Sequence, residues 1–157
     1  MHDINPYILI LALFGVTLWH ELGHLAAAHW LRVPIVNLYV GVGPILWRRK
    51  MRQAPNLVLR AYPLGMSVAV PSRRTLDGQQ RRPFGHDLWI VAAGPLASLL
   101  LTLLLFAIAR WMPMPYDVAY GLVGVGLLST AIALLNLLPI RGLDGGHLMT
   151  LGAASKG

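Results

Sequence analysis

Three stretches of the chain are long, apolar and almost free of charge. They run over about 7–31, 88–109 and 118–140 and are built mainly from Leu, Ala, Val and Ile. Each reaches the ~20 helical residues needed to cross a hydrocarbon core of about 30 Å. Their Gly and Pro residues are tolerated in membrane helices. Between the first two runs the pattern shortens. Apolar stretches at 35–47 and 57–70 are punctuated by Gly41, Gly43, Pro44, Pro55, Pro63 and Gly65, and Leu57-Val58-Leu59-Arg60 predicts a strand. The region 35–70 is therefore expected to form a small membrane-associated β-hairpin or sheet, its backbone buried in protein or lining a cavity. Residues 72–84 are polar and basic and are expected as a headgroup-side loop. The pattern predicts a mainly α membrane protein with a three-transmembrane-helix core, a small β-hairpin or sheet between helices 1 and 2, and one domain over residues 1–157.

Composition supports that picture. Charged residues are 12% of the chain, about half the usual share of a soluble domain, and mean hydropathy is +0.60. The lack of cysteine excludes disulfides and thiolate metal ligands. The first five residues lack a basic leader, so the first apolar run is expected to be retained. Net charge is +7, and ten of the thirteen Lys and Arg residues lie between 32 and 82: Arg32, Arg48, Arg49, Lys50, Arg52, Arg60, Arg73, Arg74, Arg81 and Arg82. In so apolar a chain this balance points to anionic lipid headgroups. No nucleic-acid motif accompanies it, so no nucleic-acid partner is expected. The Lys/Arg bias places 32–82 on the cytoplasmic side. The N-terminus and the 110–117 turn are then outside, with Arg110 as the exception, and the C-terminus is inside with Arg141 and Lys156.

The sharpest chemical signal is His20-Glu21-Leu22-Gly23-His24 inside the first span. Residues four apart share a helix face, so both imidazoles can reach one metal ion. Glu21 is placed to take a proton from an attacking water. Ionisable side chains inside an apolar span are functional by default; interhelical hydrogen bonding explains one such His but not a Glu flanked by two. Glu21 is the chain's single glutamate, which excludes a second Glu as third ligand. Ala27 and Trp30 exclude the metzincin extension. His29 lies about 180° around the helix from His20. The remaining candidates are His2, Asp3, Asp77, His86, Asp87, Asp117, Asp144 and His147. Asp3 and Asp117 fall on the outer side, Asp77 in the basic loop, and His86 and Asp87 where they would cap the second span. Asp144 stands in Asn136-Leu137-Leu138-Pro139-Ile140-Arg141-Gly142-Leu143-Asp144-Gly145-Gly146-His147, the chain's richest cluster of special residues. Its bland reading is a proline-terminated helix followed by a glycine turn; its functional reading is the third metal ligand.

With these residues in view, the chain resembles the site-2 protease family of intramembrane zinc metalloproteases. The resemblance rests on His20-Glu21-x-x-His24 and on Asn136-x-x-Pro139 followed by Asp144-Gly145. Gly41-Val42-Gly43-Pro44, Pro63-Leu64-Gly65 and Ala93-Gly94-Pro95 support it. It implies one zinc ion on His20, His24 and Asp144, with Glu21 as catalytic base. Asn136 would hold substrate or the Asp144 segment, and Gly41 and Gly43 would belong to a hairpin presenting substrate. His147 is open between a supporting role at the site and an interfacial one. The implied substrate is a transmembrane segment of another protein, and the implied location a bacterial or archaeal plasma membrane. The PDZ and CBS domains of many relatives are not expected within residues 1–157, and Ser98 stands where they often carry Asn. Two rival readings are a non-catalytic zinc-binding membrane protein and a soluble zinc protease; the three spans argue against the second.

Overall fold

The computed structural model describes residues 6–50, 56–69, 83–140 and 143–154; the side chains of 42, 63–66 and 150–154 lie outside that description. His2, Asp3, Arg52, Pro55, Arg73, Arg74, Asp77, Arg81, Arg82, Arg141, Gly142 and Lys156 also lie outside the described residues. The order of elements is α1 (Pro6–Trp30), β1 (Asn37–Arg49), β2 (Asn56–Ala69), α2 (Phe84–Trp111), α3 (Tyr116–Asn136) and α4 (Asp144–Ala154).

α1, α2 and α3 are long and apolar enough to cross a membrane. Most of their apolar side chains face outward, among them Ile8, Leu9, Leu11, Leu100, Leu103, Leu104, Leu127 and Leu134. Lipid is the solvent that suits such faces. The protein is a multi-pass membrane protein.

α2 is the central helix, antiparallel to both neighbours. Trp19 donates its indole N–H to the Ala97 carbonyl at 2.9 Å. Ser129 donates to the Ser98 carbonyl at 2.9 Å, and Thr102 Oγ1 reaches the Gly126 carbonyl at 2.9 Å and the Thr130 hydroxyl at 3.0 Å. Apolar burial gives little drive between helices in lipid, so such contacts, at about 0.6 kcal/mol each, carry much of the specificity. Exposed aromatics mark the helix ends: Tyr7, Trp111 and Tyr116 at one end of the bundle, Trp30 and Trp89 at the other.

The sheet between α1 and α2 is richer than one hairpin. Each strand element doubles back, and the pairing gives four short strands in the order 66–69, 37–40, 56–59, 45–49. Residues 37–40 run parallel to 56–59 and antiparallel to 66–69, and 45–49 run antiparallel to 57–60. The reversal in β1 occurs at Gly41 and Gly43, with φ of 88° and 90°. A side chain on Gly41 would also meet the Tyr62 carbonyl. Gly41→Ala is accordingly expected to destabilise the protein by about 1–3 kcal/mol, read as a lower thermal midpoint in detergent, with Gly85→Ala, where nothing lies near the added methyl, as the unaffected control.

Three boundaries differ from the sequence reading. α3 ends at Asn136 rather than near 140. Pro139 has no N–H and disfavours helical backbone at Leu138; the last turn closes instead through Leu137 and Leu138 N–H on Leu134 and Leu135 carbonyls. The glycine turn expected around Asp144 is the first turn of α4, which packs on α2. α2 begins at Phe84 rather than at 88, with Pro83 as its cap residue, so His86 and Asp87 lie inside its first turn, where Asp87 is buried.

Candidate metal site

α1 carries His20 and His24 on its buried face, one turn apart. α4 brings Asp144 to them. The Asp144 Oδ2 atom lies 3.0 Å from His20 Nε2 and 3.2 Å from His24 Nε2, and the two Nε2 atoms are 3.3 Å apart. Four ligands around a tetrahedral zinc with bonds of about 2.0–2.1 Å are separated by roughly 3.3 Å, so the triangle has the right edges to within a few tenths of an ångström.

Proton placement sharpens this. His24 Nδ1 lies 2.6 Å from the Ile90 carbonyl, which can only accept. Nδ1 therefore carries the proton, and in the neutral ring Nε2 presents a lone pair. His20 Nδ1 lies 3.0 Å from the Ser98 hydroxyl. Burial raises the Asp144 carboxyl, but hydrogen bonding and charge from the imidazoles against it outweigh burial and hold it down at about 2. Two imidazoles and a carboxylate thus converge on one point, and that donor set suits zinc.

Two carboxylates compete for the third place. Glu21 offers an oxygen within 4.8 Å of both imidazoles, and the Val68 backbone N–H lies in hydrogen-bonding range of its carboxylate. Asp144 forms short contacts, at 3.0 and 3.2 Å from the two Nε2 atoms.

Backbone makes room for these groups. Gly94 of α2 faces the imidazoles: a methyl there would overlap His24 Nε2 and lie 2.7 Å from His20 Nε2. Gly145 lies against the Leu137 carbonyl, which seats the start of α4 on the end of α3.

The other sequence candidates stand apart. Asn136 gives one side-chain N–H to the Ile132 carbonyl of its own helix at 3.0 Å. His147 is exposed, one turn beyond Asp144. Gly41 and Gly43 serve the strand reversal. His29 and Asp117 are exposed and His86 is half-buried. Sequence reasoning missed the parts played by Ser98, Ile90 and Gly94. Ser98 had a readable signal, as a hydroxyl within an apolar span; a backbone carbonyl such as that of Ile90 has none.

The sequence model of peptidase family M50 matches residues 8–122, most of the chain. The chain belongs to peptidase family M50, the site-2 protease family. The matched stretch holds His20, Glu21, His24, the sheet and α2; Asp144 lies beyond it and joins the site through geometry. Among similar proteins, one of Xylella fastidiosa strain Temecula1, provisionally named a zinc metalloprotease, is 36% identical over 95 residues, covering 55% of this chain and 21% of that protein. One of Treponema pallidum strain Nichols, named likewise, is 32% identical over 121 residues, covering 67% and 26%. One of Rhizobium meliloti strain 1021, also so named, is 32% identical over 125 residues, covering 68% and 33%. The chain thus spans between a fifth and a third of the length of these curated relatives.

Proposed function

We propose that this M50 chain is a zinc-dependent endopeptidase that hydrolyses peptide bonds in or near transmembrane segments of other proteins. The observation that carries the reading is the convergence of His20 Nε2, His24 Nε2 and Asp144 Oδ2 inside the helical bundle, with Glu21 beside them. His20, His24 and Asp144 would hold one zinc ion, which supplies Lewis acidity and makes water nucleophilic near neutral pH. Glu21 takes the proton of the attacking water and delivers it to the departing amine, as a general base and then a general acid. The Val68 amide keeps its carboxylate in place. The bundle excludes bulk water from the reacting groups, so a transmembrane substrate must unwind locally to offer a carbonyl there.

The basic residues of the sheet segment support a membrane-surface orientation. Arg48, Arg49 and Lys50 are exposed next to the exposed Ile45, Leu46 and Trp47, an arrangement suited to anionic headgroups beside an apolar layer. In this reading residues 32–82 face the cytoplasm and the N-terminus lies outside.

The test uses protein reconstituted in liposomes with a model single-span substrate. Cleavage is expected to vanish on complete chelation and to return with one equivalent of zinc but not with magnesium. Cleavage that survives metal removal would overturn the proposal, and stoichiometric zinc without cleavage of any substrate would favour a non-catalytic zinc-binding protein.

A further inference from the structure

We propose that Ser98 is the positioning residue for His20, holding its ring so that Nε2 points at His24 and Asp144. The inference rests on the reading of these imidazoles as metal ligands and adds to it the group that fixes one of them. Ser98 is completely buried, and its hydroxyl lies 3.0 Å from His20 Nδ1.

The local pattern separates this role from an ordinary helix hydroxyl. Thr130 turns back to the Gly126 carbonyl four residues earlier in its own helix, the usual way a buried hydroxyl satisfies itself in a membrane helix, and Thr102 and Ser129 reach backbone carbonyls across the α2–α3 contact. The Ser98 hydroxyl faces the α1 imidazole instead of a carbonyl. The Ser98 carbonyl, a separate group, accepts from Ser129 Oγ at 2.9 Å, a backbone contact that joins this turn of α2 to α3 and leaves the Ser98 hydroxyl to His20.

The two imidazoles are therefore held differently. His24 is locked by a carbonyl that only accepts. His20 is held by a hydroxyl, which rotates and serves as donor or acceptor. It accepts from Nδ1–H when Nε2 serves as a ligand. Ligating histidines generally depend on such a partner at the other ring nitrogen, and its loss weakens metal binding by roughly 10–100-fold.

The experiment compares Ser98→Ala with Ser129→Ala in full-length protein in detergent micelles. Both remove one buried hydroxyl at the α2–α3 junction, but only the first removes the partner of His20. Zinc affinity is measured by chelator competition, and the His20 ring by its ¹⁵N signals in histidine-labelled, metal-free protein. Ser98→Ala is expected to weaken zinc by about 10–100-fold and to shift the His20 ring signals, whereas Ser129→Ala stays within about twofold and leaves the ring signals in place. Equal zinc affinity in Ser98→Ala and wild type, or an equal fall in both variants, would overturn the assignment. Should the wild type bind no zinc, the metal reading fails by itself, and the ring signals still decide: His20 resonances untouched by Ser98→Ala would refute the positioning role.

Discussion

Glu21→Gln is expected to reduce peptide cleavage by about 10²–10⁴-fold while zinc binding stays within about threefold of wild type, since Glu21 stands outside the ligand triangle. The substitution conserves shape. A Gln carbonyl can still accept from the Val68 amide near which the Glu21 carboxylate lies, so the side chain keeps its place and loses the capacity to take up a proton. Rates come from single-turnover cleavage in liposomes, and metal content from elemental analysis of the same preparation. Undiminished cleavage would remove Glu21 from the chemistry. Loss of stoichiometric zinc would instead make Glu21 a ligand and reopen the assignment of Asp144, since both carboxylates approach the imidazoles.

Gly94→Ala should have a comparable effect by a different route. The added methyl overlaps His24 Nε2 and lies 2.7 Å from His20 Nε2, the two atoms assigned to the metal. Either the methyl shields both lone pairs or the rings rotate away; both outcomes weaken zinc binding, by at least about 100-fold, the upper end of what supporting groups contribute. Folding should hold, because alanine is the better helix former by about 1 kcal/mol. Gly121→Ala, in open space on α3, controls for any general effect of the substitution. Chelator competition and thermal melting on the same samples separate the two properties. A Gly94→Ala protein with wild-type zinc affinity would show that the space in front of Gly94 is not where the ion binds.

How far the residues alone predict this molecule depends on the range of the forces involved. The three spans are legible because lipid imposes one simple demand, a long apolar helix with its backbone bonds satisfied internally. His20 and His24 are legible because helix periodicity places them together. Asp144 stood out through the scarcity of acids and the special residues around it, and the structure brings its carboxylate to the histidine pair. α4 was obscured by Gly145 and Gly146, which read as a turn; Gly145 is instead suited to the close approach of α4 to the Leu137 carbonyl. The four-stranded pairing was out of reach, since two strand elements that each double back differ from a hairpin only in long-range register. Ser98 and Gly94 acquire meaning only when α2 is laid antiparallel to α1, a relation between segments about 75 residues apart that no local pattern encodes.

The aromatic side chains at the helix ends act as a depth gauge. Trp30 and Tyr7 are separated by about 35 Å of α1, and Trp89 and Trp111 by about 33 Å of α2, at 1.5 Å per residue, close to the thickness of hydrocarbon such residues bracket. Measured from the level of Trp30, His24 and His20 then lie about 9 and 15 Å inward. Under the proposed endopeptidase activity, a helical segment entering from that side would have its scissile bond some six to ten residues past the boundary, which would favour substrates whose boundary-proximal turns unwind easily.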